Sequence, residues 1–449
     1  MSKLIIQNGN MCELDLPLKF AQKLYNEFAI RHPNAFYLRT RQRGMQNWDG
    51  KIHYITKTGQ FKIGLLPKVY DMCIEMGIKP KVVDMRQPLP KVSKVVTNIG
   101  KYKLRPEQEK AVKSVINNRV GDTPFHIGVL DYTVNAGKTL IMSSLYLTYK
   151  KQLKTLLITN DSDWLNQARE EFKQYLPGED ITFVQGKVLN WSNFTIGMVQ
   201  SISRNMRFYQ KELSQIDMVL VDEADQGGSK QYQNVITRLF NTRIRIGLSG
   251  TIYMSKLAKD KVKNMNLECF FGKVIAEFKL KDSIKKGYST KTIVKMVPGK
   301  PWYGNWESDC ISYKEIYDDS ITENNTAWTM AYNRLRWNIN QGRYPALVVC
   351  KHIAHCENLY KFFKKKLGDA YNIAYVHVNT PSKLRQQIMR DFREGKIDIL
   401  VSTTIIARGK NFPKLRYLLN AASMDSQEKS IQFLGRLVRT DESKNKVYL

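Results

Sequence analysis

The stretch HIGVLDYTVNAGKT, residues 126–139, decides the reading of the chain. A short apolar run ends at Asp131, a loop follows, and an apolar helical pattern opens at Thr139. Strand, tight loop and helix in that order leave unpaired backbone N–H groups at the helix start, where phosphate binds well. Asn135, Ala136 and Gly137 would form the cradle. Lys138 would reach the outer phosphates of a nucleotide, and Thr139 would offer its hydroxyl to Mg²⁺. The usual spacing puts glycine where this chain has Tyr132, so the loop is expected to turn without it.

Strands are expected at 126–131, 155–159, 194–199, 217–222 and 244–249, with helices at 139–151, 162–175 and 229–240. A more irregular stretch, 283–345, precedes a second series of strands at 346–350, 373–377, 397–402 and 415–420. Such alternation builds parallel sheets covered on both faces, with ligand sites beyond the carboxyl ends of the strands. The expected fold class is therefore α/β: two tandem parallel-sheet lobes behind a small α+β N-terminal domain. The boundaries fall at 1–95, 96–282 and 283–449. Within the first segment the spacing predicts a helix over 17–32 and two strands within 51–66 around the turn Lys57–Gln60. Gly64-Leu65-Leu66 falls in the strand that closes this stretch, and 79–101 reads as a proline-bearing linker.

Further along, an apolar strand ends in Asp222-Glu223-Ala224-Asp225. An acid at a strand end beside a phosphate loop can hold Mg²⁺, here Asp222, and a second, Glu223, can orient or deprotonate a water. Taken alone the tetrapeptide would be a solvated acidic turn. Its place behind a strand, after Gly-Lys-Thr, argues otherwise. Ser249-Gly250-Thr251 closes the next strand. Near the C-terminus stands QFLGRLVR, residues 432–439, in which Arg436 and Arg439 share one helical face. Such a pair is usually a basic surface, but across a cleft it could neutralise charge growing on a transferred phosphoryl group.

The net charge is +30 over 449 residues. Self-repulsion of that size destabilises a compact fold unless a polyanion relieves it, and nucleic acid is the polyanion expected. The three segments carry +9, +8 and +13, which fits an extended binding surface better than a basic tail. Arg39, Arg41, Arg43, Trp48, Lys51 and Lys57 cluster in the first segment, and arginine with tryptophan suits phosphate binding plus stacking. Cys12, Cys73, Cys269, Cys310, Cys350 and Cys356 contain no C-x-x-C pair, which speaks against a zinc site or a disulfide framework. Without an apolar run near 18 residues or a signal-peptide pattern, the chain is expected to be soluble and cytoplasmic, with no membrane partner.

As an ordered set, Leu104-Arg105-Pro106-Glu107-Gln108, Gly-Lys-Thr, Asp-Glu-Ala-Asp, Ser-Gly-Thr and Gln-x-x-Gly-Arg-x-x-Arg resembles the superfamily 2 helicases. Thr159–Gln167, Thr195–Ser201, Val349–Leu359, His377–Gly395, with Val378 in place of a glycine, and Ser402–Pro413 resemble further motifs of that family. The acidic tetrapeptide is that of DEAD-box RNA helicases, but TNDSDWL at 159–165 and Gln432 depart from their pattern. Trp48-Asp49-Gly50-Lys51 and the rest look more like phage branch-migration helicases of the UvsW type. The resemblance implies that both lobes are RecA-like, that ATP and Mg²⁺ are the cofactors, and that forked, junction and single-stranded DNA are the partners of a monomer in the host cytoplasm. It implies that Gln108, Arg105 and Tyr102 read adenine and that Gly409 and Gln432 lie close to the nucleotide. Arg436 and Arg439 would act as arginine fingers, and Gln200, Ser201 and Thr403 would face the nucleic-acid backbone. The rival expectations are an RNA helicase and a DNA-binding scaffold without ATPase activity.

Overall fold

Continuous apolar runs, each followed by a helix, assemble into two wholly parallel sheets in a computed structural model of the chain. The structure describes all residues except 1, 42–44, 150–151, 253–259, 298–311, 408–411, 413 and 423–445. Two compact units result, residues 1–279 and 280–449.

The larger sheet runs in the order Ile181–Val184, Phe194–Met198, Thr155–Thr159, Met218–Asp222, Ile244–Ser249, Ile127–Tyr132, Val274–Phe278. Every pairing in it is parallel. Its central strands are buried at every position, which is why their sequences show no polar alternation. The strand ending at Ser249 lies between the one ending at Asp222 and the one leading into the phosphate loop. Three motifs far apart in sequence thus emerge side by side at the carboxyl edge.

The second unit holds six parallel strands in the order Lys291–Ile293, Lys446–Tyr448, Tyr417–Asn420, Ala346–Cys350, Ile399–Thr403, Ile373–Val376. Helices Asn325–Asn340 and Ile353–Leu367 pack on the sheet through Tyr332, Leu335, Ile339, Leu359 and Phe363.

In the first segment a four-stranded mixed sheet runs Gln60–Lys62, Met11–Asp15, Lys3–Ile6, Lys81–Asp84. The expected helix over 17–32 stops earlier, at Leu18–Glu27, because Ala29–Arg31 leaves it to pair antiparallel with Lys51–His53. The two strands expected within 51–66 consequently join different partners and touch through a single bridge, Ile55 to Phe61. Gly64 and Leu65 lie in a 3₁₀ turn rather than a strand. The 79–101 stretch contributes the strand Lys81–Asp84 and then runs along the helix Lys138–Thr148, where Ser144 Oγ donates to Val96 O at 2.6 Å.

The first segment and the first lobe share one apolar core, in which Leu4, Ile6, Phe61, Ile63 and Leu66 join Val129, Val221, Leu239 and Phe271. The polar centre of the joint is Arg245, fully buried in a central strand. Its guanidinium donates to Gly9 O at 2.5 Å, Asn10 Oδ1 at 2.8 Å and Phe270 O at 3.1 Å. Asn10 Nδ2 in turn donates to Thr237 O at 3.1 Å, and Gly9 N to Phe240 O at 2.6 Å. A side chain at Gly9 would collide with the backbone of Leu239, Phe240 and Thr242, and one at Gly64 with that of Glu268 and Cys269. Backbone meets backbone across this joint.

Candidate nucleotide and nucleic-acid site

Tyr132 ends its strand with its ring buried under the loop, and its hydroxyl donates to Glu107 O at 2.7 Å. The loop turns after it, at Asn135 (φ 64°) and Gly137 (φ 73°). Gly137 is the residue that caps the helix Lys138–Thr148, with no side-chain cap on its first-turn N–H groups. Glycine is required there twice over. The backbone is left-handed, and a Cβ would run into Gln108 Nε2.

Gln108 is buried and braces this loop. Its Nε2 donates to Ala136 O at 2.9 Å, and its Oε1 accepts from Arg105 N at 2.8 Å. Arg105 Nη2 donates to Asn135 O at 3.3 Å. Tyr102 stands edge-on to Tyr175, and its hydroxyl donates to Gln174 Oε1 at 3.4 Å. Gln108 and Arg105 thus brace the phosphate loop.

Lys138 Nζ lies 3.7 Å from Asp222 Oδ1. That oxygen is buried and has no hydrogen-bond partner. Burial pushes the Asp222 carboxyl up to about 7, against the pull of Lys138, and the neighbouring acids Glu223 and Asp225 add to the rise. Burial works against the Lys138 ammonium, but Glu223, Asp222 and Asp225 outweigh it and hold its pKa above the usual value. Glu223 follows with a left-handed backbone (φ 52°), a conformation that costs a non-glycine residue energy and is found preferentially at functional sites. Among the described residues no cluster of three acid, histidine or cysteine side chains could by itself hold a metal. One buried carboxylate oxygen that takes no hydrogen bond, beside a phosphate loop, fits Mg²⁺, which takes one or two protein oxygens and completes its shell from phosphates and water.

Asp225 Oδ1 accepts from Ser249 Oγ at 2.9 Å, and Ser249 Oγ lies 3.3 Å from Thr251 Oγ1 and accepts from Thr251 N at 3.2 Å. A Cβ on Gly250 would sit 3.0 Å from Thr133 Cα, so this turn is pressed against the phosphate loop.

Gln200 and Ser201 open the helix Val199–Arg204 at the same carboxyl edge. Gln200 Nε2 donates to Asn160 O at 3.3 Å, which joins two segments expected to face nucleic acid, while its buried Oε1 has no partner. Ser201 Oγ accepts from Gly186 N at 2.9 Å. In the second unit Thr403 ends a central strand and is buried. In the first segment, Arg39, Arg41, Lys51 and Lys57 are exposed, whereas Trp48 is half-buried, its Nε1 donating to Lys51 O at 2.9 Å. The helix Ala35–Arg41 instead turns Phe36 and Tyr37 to solvent, with the Arg41 guanidinium 4.8 Å from the centre of the Tyr37 ring. These aromatics escaped the sequence reading because the helix is short and buries only Ala35. Arg43, Gly409, Gln432, Arg436 and Arg439 lie outside the described residues, as does Cys310. The remaining five cysteines are buried free thiols. Among the described residues no helix is long and apolar enough to cross a membrane.

A phosphate loop, an acid-bearing strand end and a hydroxyl pair at adjoining carboxyl ends, followed by a second parallel α/β unit, are the architecture of a phosphate-loop protein with two α/β units. Residues 101–254 match the family described as type III restriction enzyme, res subunit, and residues 331–441 match the helicase conserved C-terminal domain. The chain belongs to the superfamily 2 helicases. IRC3 of Saccharomyces cerevisiae, named as an ATP-dependent helicase, is 22% identical over 375 residues, 77% of this chain and 51% of its own length. The chain thus spans about half the length of that relative. A solved fragment named as an HsdR subunit of a type I restriction enzyme from Vibrio vulnificus covers 77% of this chain and 63% of its own at 16% identity, with a TM-score of 0.58, a likeness of fold. The UvsW structure from phage T4 covers all of this chain and 89% of its own at 19% identity and a TM-score of 0.49.

Proposed function

We propose that the chain is an ATP-dependent DNA helicase or translocase that acts on forked and junction DNA in phage replication, recombination or repair. The observation that carries the ATPase reading is the buried Asp222 oxygen, without a hydrogen bond and paired at 3.7 Å with Lys138 at the start of the helix behind a phosphate loop. Lys138 would bind the outer phosphates, and Thr139 with Asp222 would hold Mg²⁺, which when bound would offset charge on the phosphates. Glu223 would orient a water and accept its proton. Asp225, Ser249 and Thr251 would pass the change at the nucleotide to the adjoining turn. Arg436 and Arg439 would stabilise the transferred phosphoryl group.

Three features support DNA with a branch. The charge is +30, TNDSDWL at 159–165 and Gln432 depart from the DEAD-box RNA helicase pattern, and the first segment sets exposed Phe36, Tyr37, Arg39, Arg41 and Lys51 near one another in sequence. The shared core would make that segment move with the first lobe, so DNA held on it would be carried by the ATP cycle. RNA is the second reading, favoured by the literal Asp-Glu-Ala-Asp at 222–225. ATP hydrolysis measured with single-stranded DNA, RNA, forks and four-way junctions separates the two. Stronger stimulation and unwinding with branched DNA are expected, and preference for RNA would overturn the DNA reading.

A further inference from the structure

Between Ile181 and Lys211 the sequence contains Lys187, Arg204, Arg207 and Lys211 and no acid at all. The structure folds this stretch into a platform at the outer end of the larger sheet, at the same carboxyl edge as Asp222 and Ser249. Loop 185–190 follows the edge strand Ile181–Val184, and residues 205–209 follow the helix Val199–Arg204. The two loops are tied by polar bonds. Gly186 N donates to Ser201 Oγ at 2.9 Å, Asn205 Nδ2 to Gly186 O at 3.3 Å, and Val188 N to Tyr209 Oη at 2.9 Å. Tyr209 is buried and packs against Trp191, at 5.0 Å between ring centres.

On this braced base Phe208 is 59% exposed and Leu189 65% exposed, although the core lies one residue away at Tyr209. Lys187 Nζ stands 3.9 Å from the centre of the Phe208 ring. An exposed aromatic ring on a hydrogen-bonded base, with a cation beside it and no acid in the stretch 181–211, matches an unpaired base followed by its phosphate. Stacking tolerates any base, and the lysine takes the anion.

We infer that Phe208 and Lys187 form a base-stacking site for single-stranded nucleic acid, with Arg204 and Arg207 as flanking phosphate contacts. This rests on the proposed nucleic-acid motor function and adds to it a defined contact for the strand on the first lobe. The site also gives Ser201 a role: its hydroxyl is committed to Gly186 and so positions the loop that carries Lys187.

The test uses the full chain and a fluorescein-labelled oligothymidylate, with affinity measured across a salt series. Phe208→Ala should weaken binding about 5- to 150-fold, the range of one lost base stack, with an unchanged salt slope. Phe208→Trp should restore affinity. Lys187→Gln should lower the salt slope by about 0.7, the value of one phosphate contact on a single strand. A 2-aminopurine placed in the oligonucleotide should lose its stacking-dependent quenching with Phe208→Ala. If the unaltered protein binds the oligonucleotide tightly and Phe208→Ala binds it equally well, the inference is overturned, and the patch belongs to a protein partner. If the unaltered protein does not bind nucleic acid, the underlying functional reading fails instead.

Discussion

Asn10→Ala should cost the first unit several kcal/mol although residue 10 lies far from the nucleotide site. Asn10 Oδ1 accepts from the buried Arg245 guanidinium at 2.8 Å, and its Nδ2 donates to Thr237 O at 3.1 Å. Alanine removes a hydrogen bond to a charged group, ~1.5–3 kcal/mol, and leaves the Thr237 carbonyl short of a donor, ~1–3 kcal/mol. Among the described residues no carboxylate pairs with Arg245, so the cation keeps only backbone carbonyls. A net loss of about 3–5 kcal/mol is expected. At about 2–4 °C per kcal/mol this is a fall of roughly 6–20 °C in the Tm of the first unit. Urea unfolding followed by tryptophan fluorescence, with hydrogen exchange over residues 3–15, reads it directly. Lys3→Ala serves as control, because its ion pair with Asp15 is exposed and worth under about 1 kcal/mol. If Asn10→Ala costs no more than that control, the first segment is not locked to the lobe through Arg245.

Asp222, pushed up to about 7, must lose its proton to bind Mg²⁺, so magnesium-nucleotide affinity should rise as pH goes from 6 to 8, with a smaller rise in Asp222→Asn. Equal slopes in calorimetric titrations of the two proteins would refute the assignment. Because this carboxyl is raised above its unfolded value, it favours the native state at low pH, and that contribution is lost as pH rises through 7. Arg436→Ala or Arg439→Ala should cut kcat by on the order of 10³ or more with little change in nucleotide affinity, as steady-state kinetics would show. Collapse of nucleotide binding with kcat preserved would make them ground-state ligands. If about 6–10 phosphates are neutralised, DNA affinity should fall about 10³- to 10⁵-fold between 50 and 200 mM salt, and a flat response would detach the +30 charge from DNA.

The lobes were legible because their strands are buried on both faces, so runs such as Met218–Asp222 and Ala346–Cys350 appear as unbroken apolar stretches. The phosphate loop was legible for the same reason, since its strand and helix frame it. The first segment was less so. Ala29–Arg31 continues a helical pattern and becomes a strand only because Lys51–His53 pairs with it. Arg245 sits inside an apolar strand, and its acceptor Asn10 is 235 residues away, a partnership no local pattern carries. The bracing of the phosphate loop by Gln108, whose Nε2 donates to Ala136 O, is likewise a contact across 28 residues that no local pattern carries.

The sharing of one core also bears on how the first segment is tested. Deleting residues 1–95 would strip Leu4, Ile6, Phe61 and Leu66 from the core of the first lobe. Charge reversal at Arg41 and Lys51, both exposed, probes junction binding without that damage.

The central claim, a nucleic-acid motor driven by ATP at Lys138, is tested most directly by Lys138→Ala in the full chain. ATP hydrolysis and unwinding of a four-way junction would be followed in one reaction, with junction binding measured alongside. The unaltered protein should hydrolyse ATP faster with the junction present and separate its strands. The variant should lose both activities and keep most of its junction affinity, because the positive charge is spread over all three segments. Normal ATP turnover in the variant would contradict the assignment.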